Sequence, residues 1–254
     1  MLKPIKDLGQ NFLTDISVAE DMVRALQIEQ DDLVVEIGAG LGALTKVLVE
    51  ASGGLGVNVR AIEVDERCVQ KLRRSFSKHP NLEIIEGDIL SWLPRFNSER
   101  EFKLIGSLPY YISSPILHEV VKKCPQVVRG VFMVQKEVAV KLVKKAPDAS
   151  YLSTYLQTFF EITLLKVVPS TLFEPVPKVD GAVVQLVRLD KPLVGMDQQD
   201  RYKGFLHKGF SKPRKMLNKV FAKDLLAEVG LDEKLRPQHI PVEKWVDLFK
   251  KLMA

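Results

Sequence analysis

Five apolar runs that read as strands alternate with amphipathic stretches through the first 145 residues, and this pattern limits the chain to very few folds. Strands alternating with helices at this spacing predict a parallel sheet that is covered on both faces. The predicted strands are 32–40, 57–65, 82–88, 102–106 and 130–135, and the predicted helices are 17–28, 41–51, 66–76, 114–124 and 136–145. Two further strands, 161–168 and 181–189, flank a proline-rich loop and predict an antiparallel hairpin at the edge of the sheet.

The pattern changes after Asp190, so we predict an α/β domain over 1–190 and a small helical domain over 191–254. A length of 254 residues suits such a pair of domains. Residues 191–199 resemble a linker, and the remainder predicts short helices over 200–210, 214–222, 224–230 and 241–252.

The chain carries no sign of export or of membrane insertion. No apolar run approaches the roughly 18 residues that a membrane span needs. The first residues, MLKPIKDLGQNFLTD, have no apolar signal core, so we expect a cytoplasmic protein. Cys68 and Cys124 match no metal-binding spacing, and we expect both to be buried free thiols in a reducing cytosol.

Positive charge is concentrated near the end of the chain. Residues 1–185 hold 22 Lys and Arg against 23 Asp and Glu, whereas residues 186–254 hold 15 against 9. The stretch 201–223 has eight basic residues and no acidic one. Such a block indicates a polyanionic partner such as nucleic acid, although a solvated helix face has the same composition.

A glycine-rich turn follows the first predicted strand, in VVEIGAGLGAL. Gly38, Gly40 and Gly42 lie between a strand and a helix, where glycine lets a ligand approach the backbone and the helix N-terminus offers free N–H groups. The turn also satisfies the loose dinucleotide pattern G-x-G-x-x-G/A. The glycines alone therefore do not distinguish NAD from another nucleoside cofactor.

Acidic residues at the next strand ends narrow the choice of cofactor. Glu63 ends the second strand, where a carboxylate can accept from both ribose hydroxyls, and Asp88 follows the third, where it can accept from an adenine amine. Glu36, just before the turn, would repel a pyrophosphate but suits a positive centre. Together, these three acids favour S-adenosylmethionine over a dinucleotide as the cofactor. Its sulfonium needs no metal for methyl transfer.

The fourth predicted strand runs into GSLPYYISS, residues 106–114, at a sheet edge where ligands bind in α/β folds. Ser107 Oγ and the Leu108 carbonyl can accept from an adenine amine, and Pro109 fixes φ and so aims that carbonyl. Tyr110 offers a flat surface for a base that has left its stack. The stretch therefore predicts a site of amine methylation.

Nine segments carry a resemblance to the rRNA adenine dimethyltransferase family, most closely to its KsgA branch. They run nearly from end to end: LGQNFLTD (8–15), VVEIGAGLGALT (34–45), AIEVDERCV (61–69), EGDIL (86–90), GSLPYYISSPIL (106–117), MVQKEVAVKLV (133–143), FEPVPKVDGAVVQL (173–186), FSKPRKMLNKVF (210–221) and LRPQHIPVEKW (235–245). The resemblance implies a Rossmann-like class I S-adenosylmethionine-dependent methyltransferase sheet with an antiparallel edge hairpin, followed by a small all-α domain.

The resemblance also implies roles for particular residues. Asn11 and Leu13 would close over the cofactor, and Gly38 would contact its methionine end. Gly40 would also bind the cofactor, Glu63 would hold its ribose and Asp88 its adenine amine. Ser107, which lies where the family normally has Asn, would contact both cofactor and target. Tyr110 would stack on the target adenine, and Phe173 would cover the other face of that base.

Family enzymes dimethylate two adjacent adenosines in a loop near the 3′ end of small-subunit rRNA, which implies a pre-assembled small ribosomal subunit as the partner. The 191–254 domain would contact that rRNA, with Lys208, Lys212, Arg214, Lys215 and Lys219 as the RNA-binding residues. We expect a monomer that requires no metal.

Three alternatives remain open at this point. Tyr111 and Ser107 depart from the family pattern, and Ser107 leaves room for a weakly catalytic or non-catalytic subunit-assembly factor. An Erm-type 23S rRNA methyltransferase shares the catalytic core, although KPRKML and LRPQHIPVEKW favour the KsgA branch. An NAD-dependent dehydrogenase would give the Ser-Leu-Pro-Tyr stretch no role.

Overall fold

The computed structural model of the protein describes residues 2–5, 8–109, 111–123 and 125–253. The chain forms two compact units. The first comprises Met1–Ala139 and Thr163–Val187, and the second comprises Val140–Ile162 and Arg188–Ala254. The second unit thus takes in a segment before residue 190 as well as the residues after it. The division of roles between a cofactor-binding domain and an rRNA-contacting domain stays a prediction.

Most strands of the chain join one seven-stranded sheet. Its strands are β2 (Leu33–Ile37), β3 (Asn58–Glu63), β4 (Leu82–Glu86), β5 (Phe102–Ser107), β6 (Val127–Gln135), β7 (Phe160–Val168) and β9 (Gly181–Arg188), in the order β4-β3-β2-β5-β6-β9-β7. The first five strands in this order, β4-β3-β2-β5-β6, pair in parallel, and β9 pairs antiparallel with β6. The predicted sheet is therefore confirmed, with the two hairpin strands as neighbours and β7 at the edge.

Two short strands form a separate ladder. They are β1 (Phe12–Leu13) and β8 (Phe173–Glu174), which pair antiparallel so that Leu13 lies opposite Phe173. The sequence pattern did not predict this pair, because two-residue strands carry no periodicity. The ladder joins the N-terminal segment to the loop between β7 and β9.

The helices between the strands are α1 (Ile16–Leu26), α2 (Ala43–Ala51), α3 (Glu66–Ser75), α4 (Ile89–Arg95), α5 (Ser113–Lys122) and α6 (Lys136–Val143). Asp65 caps α3, as its position predicts, by accepting from the Arg67 N–H at 3.0 Å. The predicted start of α1 at Ser17 is wrong, because Asp15 is the cap and accepts from the Ser17 N–H at 2.8 Å. Helix α4 was not predicted.

The centre of the sheet is closely packed. All five residues of β2 are buried, as expected for a strand that is covered on both faces. Gly106 lies opposite Ile37 in the β2–β5 register, and a Cβ atom at residue 106 would overlap the Ile37 carbonyl oxygen. Glycine at this position lets the ends of β2 and β5 approach each other. Cys68 is a buried free thiol, as predicted, whereas Cys124 lies outside the described residues.

The second unit is largely helical and has an aromatic core. It contains α7 (Tyr151–Gln157), which was not predicted, and α8 (Gln199–Phe210), α9 (Lys223–Glu228) and α10 (Val242–Met253), which were. Tyr202 and Trp245 are fully buried, and the Phe205 ring lies within 6.2 Å of both ring centroids. Among the described residues, no helix is long and apolar enough to cross a membrane.

Two predictions for this unit are wrong. The segment 214–222 is not an α-helix and contains only a 3-10 turn over Leu217–Lys219. The N–H groups of Leu217 and Asn218 donate instead to the carbonyls of Leu235 and Glu233, so tertiary hydrogen bonds replace the helical ones. The expected linker 191–199 is packed, because Val194 is buried and the Leu193 N–H donates to Thr158.

We predict that Gly106→Ala destabilises the protein by about 2 kcal/mol or more, because the added methyl group must push β2 and β5 apart. Gly87→Ala is the matched control, since a Cβ atom there meets nothing within 4 Å. Urea unfolding followed by circular dichroism measures both variants. Equal midpoints for the two variants would contradict the close approach at Gly106.

Candidate active site

A cavity of about 710 Å³ opens in the first unit where β3, β2 and β5 end. Its volume lies within the range of small-molecule sites. The lining includes every predicted cofactor-binding and catalytic residue that the structure describes: Asn11, Leu13, Gly38, Gly40, Glu63, Asp88, Ser107, Leu108, Pro109 and Phe173. Tyr110, predicted to stack on the target base, lies outside the described residues.

The glycine turn brings backbone, rather than side chains, to the cavity wall. Gly38 and Gly40 have φ angles of +71° and +55°, which favour glycine. A Cβ atom at residue 38 would lie 3.6 Å from the Ser107 carbonyl oxygen, and one at residue 40 would lie 3.3 Å from the Phe12 ring. The turn is therefore held between the end of β5 and the N-terminal segment.

The Glu63 carboxylate is held by backbone donors. Its Oε2 accepts from the Gly40 N–H at 2.7 Å, and its Oε1 accepts from the N–H groups of Val64 and Asp65, both at 2.9 Å. An ionised carboxylate has about four acceptor sites, so these bonds fix its orientation and leave room for a hydroxyl donor. Glu63 is thus pre-oriented at the cavity wall, with 6% of its surface exposed.

Glu36 is a buried acid at the base of the cavity. Burial raises the pKa of its carboxyl to about 8; the hydrogen bond with Thr45 opposes this rise, and the nearby Glu63 charge adds to it. The Thr45 Oγ1 lies 2.7 Å from Glu36 Oε2. The prediction that Glu36 repels pyrophosphate as a charged group is wrong for the protein without a ligand, because the raised pKa favours the neutral carboxyl near pH 7. A bound cation would favour its ionised form.

Asp88 follows β4 and also caps α4. Its Oδ1 accepts from the Leu90 N–H at 3.0 Å, and its Oδ2 accepts from the Ser91 hydroxyl at 3.3 Å. The side chain is exposed at the rim of the cavity, so it remains accessible to a ligand amine.

The Ser107–Pro109 turn is fixed by hydrogen bonds on both sides. The Leu108 N–H donates to the Met133 carbonyl at 2.9 Å, and the Pro109 carbonyl accepts from the Ile112 N–H and the Ser113 hydroxyl. None of the hydrogen bonds between described residues uses the Leu108 carbonyl oxygen. The turn therefore presents an acceptor whose position is set by its neighbours.

Phe173 is only 3% exposed and packs in the core beside Met133 and Gly181, while part of it lines the cavity. Tyr111 is different, since 59% of its surface is exposed at the same cavity. A Cβ atom on Gly9 would lie 3.3 Å from the Tyr111 ring, so this tyrosine packs against the N-terminal segment.

Residues 8–14, here called the N-terminal strap, form one side of the cavity. Asn11 and Leu13 belong to this strap, and the Asn11 amide donates to the Gly9 carbonyl at 3.1 Å. Sequence reasoning missed Gln10, whose amide donates to Asp65 Oδ2 at 2.8 Å. Gln10 lies in LGQNFLTD and Asp65 in AIEVDERCV, but no local sequence pattern links two positions that are 55 residues apart.

The five predicted RNA-binding residues lie in the second unit. Lys208 belongs to the last turn of α8 and its ammonium lies 5.7 Å from the centre of the Phe221 ring. Lys212, Arg214 and Lys215 lie on the turn after α8, and Lys219 ends the 3-10 turn. All five side chains are exposed.

The chain resembles solved methyltransferase structures over nearly its whole length. It superposes on the 23S rRNA methyltransferase ErmE with a TM-score of 0.76 and 26% identity, covering 96% of this chain and 100% of that one. A dimethyladenosine transferase from Plasmodium falciparum gives a TM-score of 0.78 at 24% identity, covering 93% and 95%. The fold is that of the class I S-adenosylmethionine-dependent methyltransferases.

The match to a family is more specific. Residues 1–253 match the family described as ribosomal RNA adenine dimethylase. Two relatives named ribosomal RNA small subunit methyltransferase A are each 36% identical to this chain. The relative from Persephonella marina matches over 98% of this chain and 94% of its own length, and the one from a Janthinobacterium strain matches over 98% of both. The chain belongs to the ribosomal RNA adenine dimethylase family.

The raised pKa of Glu36 predicts how stability depends on pH. The folded protein without cofactor keeps the Glu36 proton up to a pH of about 8, whereas the unfolded chain loses it near 4.5, so the wild type loses stability as pH rises through this window. Glu36→Gln removes the titration. Its free energy of unfolding, relative to wild type, should increase between pH 5 and 8 by up to about 1.4 kcal/mol per pH unit.

Urea unfolding at several pH values measures this difference. Glu50→Gln is the control, because Glu50 is exposed and pairs only at 3.9 Å with Lys46. A difference for Glu36→Gln that does not vary with pH would show that Glu36 is ionised in the folded protein.

Proposed function

We propose that the protein transfers methyl groups from S-adenosylmethionine to the N6 amines of two adjacent adenosines in the 3′-terminal hairpin loop of small-subunit (16S) rRNA. The product is N6,N6-dimethyladenosine, made during ribosome biogenesis. One observation carries the proposal: in a member of this family, a single cavity collects the glycine turn, Glu63, Asp88 and the Ser107–Pro109 turn.

The residues present fit the cofactor. Gly38 and Gly40 leave room for its methionine end, the pre-oriented Glu63 accepts from the ribose, and Asp88 accepts from the adenine amine. Glu36 is a buried acid that accepts from the Thr45 hydroxyl, and a positive ligand beside it would favour its ionised form. When bound, the cofactor supplies a methyl group already activated by its sulfonium, so no metal is required.

The chain contributes acceptors and positioning to the reaction. An adenine amine is a weak nucleophile, because its lone pair is delocalised into the ring. Ser107 Oγ and the Leu108 carbonyl accept its hydrogens and favour a more tetrahedral nitrogen. The bond from Leu108 N–H to Met133 holds that carbonyl in place, which supplies positioning before the reaction begins. Tyr110 would stack on one face of the extruded base, and the small exposed part of Phe173 that lines the cavity would lie toward the other face.

The partner that we propose is rRNA within a pre-assembled small ribosomal subunit, bound by a monomer in the cytoplasm. The exposed basic residues of the second unit supply contacts to phosphate groups. The Erm-type alternative draws support from the likeness to ErmE, but the relatives named for the small subunit are more similar in sequence. The assembly-factor alternative depends on Ser107 being inactive.

Small subunits that lack the modification, incubated with the purified protein and labelled S-adenosylmethionine, test the function. Dimethyladenosine at two adjacent positions after rRNA digestion is the expected result. Monomethyladenosine alone would limit the activity to the first transfer. A parallel reaction offers large-subunit rRNA, and label in that reaction alone would favour the Erm-type function. Binding to small subunits without label in either reaction would favour an assembly factor.

Ser107→Ala should lower turnover by about ten- to hundredfold, because a hydrogen bond to the reacting amine is lost. The affinity for S-adenosylmethionine should change much less. Ser107→Asn, which introduces the family's usual residue, should retain activity, and Ser75→Ala on the exposed end of α3 is the control. Steady-state kinetics with saturating subunits measures all four proteins. Unchanged turnover in Ser107→Ala would rule out the acceptor role.

Replacing Lys212, Arg214 and Lys215 together by Gln should weaken rRNA binding and reduce the slope of log K against log salt by about two to three. Lys71, Arg74 and Lys78 provide a control with the same charges, since all three are exposed on or next to α3. Fluorescence anisotropy with a labelled rRNA hairpin at several salt concentrations measures both triple variants. Equal slopes of log K against log salt for the two triple variants would show that Lys212, Arg214 and Lys215 are ordinary solvated surface residues.

A further inference from the structure

The N-terminal strap crosses the ends of three neighbouring strands. Gly9 packs against Tyr111, which follows β5, and Phe12 packs against Gly40, which follows β2. Gln10 donates to Asp65, which follows β3, at 2.8 Å. A strap fixed at all three positions forms one side of the cavity at the carboxyl ends of these strands.

Asp65 is the most strongly bonded of these anchor points. Its side chain is 3% exposed and accepts from Arg67 Nε at 3.0 Å, from Arg67 Nη2 at 2.7 Å and from the Gln10 amide. The hydrogen bond from Arg67 holds the pKa of the Asp65 carboxyl well below its ordinary value despite burial, and the bond from Gln10 lowers it further. Hydrogen bonds to an ionised group are stronger than those between neutral groups.

Gln10 uses both ends of its amide. The nitrogen donates to Asp65, while Oε1 accepts from the Ile5 N–H at 2.8 Å. The side chain therefore ties the residues before the strap to the turn after β3. This turn also orients Glu63, the last residue of β3, because the Asp65 N–H donates to Glu63 Oε1.

We propose that Gln10 and Asp65 are positioning residues for the cofactor, which act by holding the N-terminal strap closed over it and so set the rate at which it dissociates. The inference rests on the proposed function, since the cofactor is S-adenosylmethionine. The turn after β3 both orients the Glu63 carboxylate, which would bind the ribose, and anchors the strap. Closure of the strap and binding of the ribose therefore support each other. Asp65 also caps α3, and Gln10 is therefore the better residue for a test.

Gln10→Glu is the sharpest variant, because it places a carboxylate against the buried Asp65 without changing the size of the side chain. Gln70→Glu is the matched control: Gln70 also donates to a carboxylate, Glu66 Oε1, at 3.0 Å, but on the exposed face of α3. Gln10→Ala removes the donor without adding charge and should give a smaller effect in the same direction. Thermal unfolding confirms that each variant folds.

The first measurement is hydrogen exchange in the protein without cofactor. The amides of residues 8–14 should exchange about tenfold faster in Gln10→Glu than in wild type, given the usual strength of a hydrogen bond to a charged group. Exchange in Gln70→Glu should match wild type. Unchanged exchange in Gln10→Glu would overturn the role of the Gln10–Asp65 contact.

The second measurement is the dissociation rate of labelled S-adenosylmethionine. Gln10→Glu should release it about tenfold faster and raise KM for it, with kcat changed by less than about twofold. Faster exchange with unchanged dissociation would overturn the positioning role and leave the proposed function standing. A wild type that does not bind S-adenosylmethionine would overturn the proposed function, and the positioning role with it.

A compensating change separates this role from simple damage to the fold. In Gln10→Glu combined with Asp65→Asn, the amide at residue 65 can donate to the new carboxylate, and Asn retains the capping oxygen for α3. The double variant should recover at least part of the slow dissociation. A double variant that releases the cofactor as fast as Gln10→Glu alone would contradict a direct contact between the two side chains.

Discussion

The close approach of β2 and β5 is the constraint on which the rest of the site depends. These strands pair in parallel, with Gly106 opposite Ile37, and only glycine leaves space for the Ile37 carbonyl oxygen. Since parallel strands end at the same edge of a sheet, this pairing brings the glycine turn within contact distance of Ser107. A cofactor on one strand end and a reacting amine on the next can meet only if this spacing is kept.

Three acids near the cavity have three different environments. Glu63 accepts three hydrogen bonds from backbone N–H groups, and Asp65 pairs with Arg67, so the buried carboxyl oxygens of both acids have donors. Burial raises the pKa of Glu36 and the nearby Glu63 charge adds to this rise, while the hydrogen bond from the Thr45 hydroxyl opposes it. Binding of a positive ligand beside Glu36 is therefore coupled to release of its proton.

Local patterns predicted the strands and the residues at their ends, but not the contacts between distant segments. Hydrophobic periodicity and turn residues locate the strand ends, which is why Glu63 and Ser107, both of which line the cavity, could be picked out from the sequence. The helix predicted over 214–222 fails because Leu217 donates to Leu235 rather than to its own turn. The contact of Gln10 with Asp65 and the protonated state of Glu36 depend on burial, which a single sequence does not contain.

The ladder of β1 and β8 places the strap and Phe173 in one hydrogen-bonded pair, with Leu13 opposite Phe173. If the strap opens for cofactor exchange as we propose, the strand that pairs with Phe173 is withdrawn with it. The free energy of cofactor binding would then be linked to that of base binding at Phe173, and such linkage is equal in both directions. An enzyme that must transfer more than one methyl group would loosen its hold on the base each time it renews its donor, so successive transfers would be separate encounters.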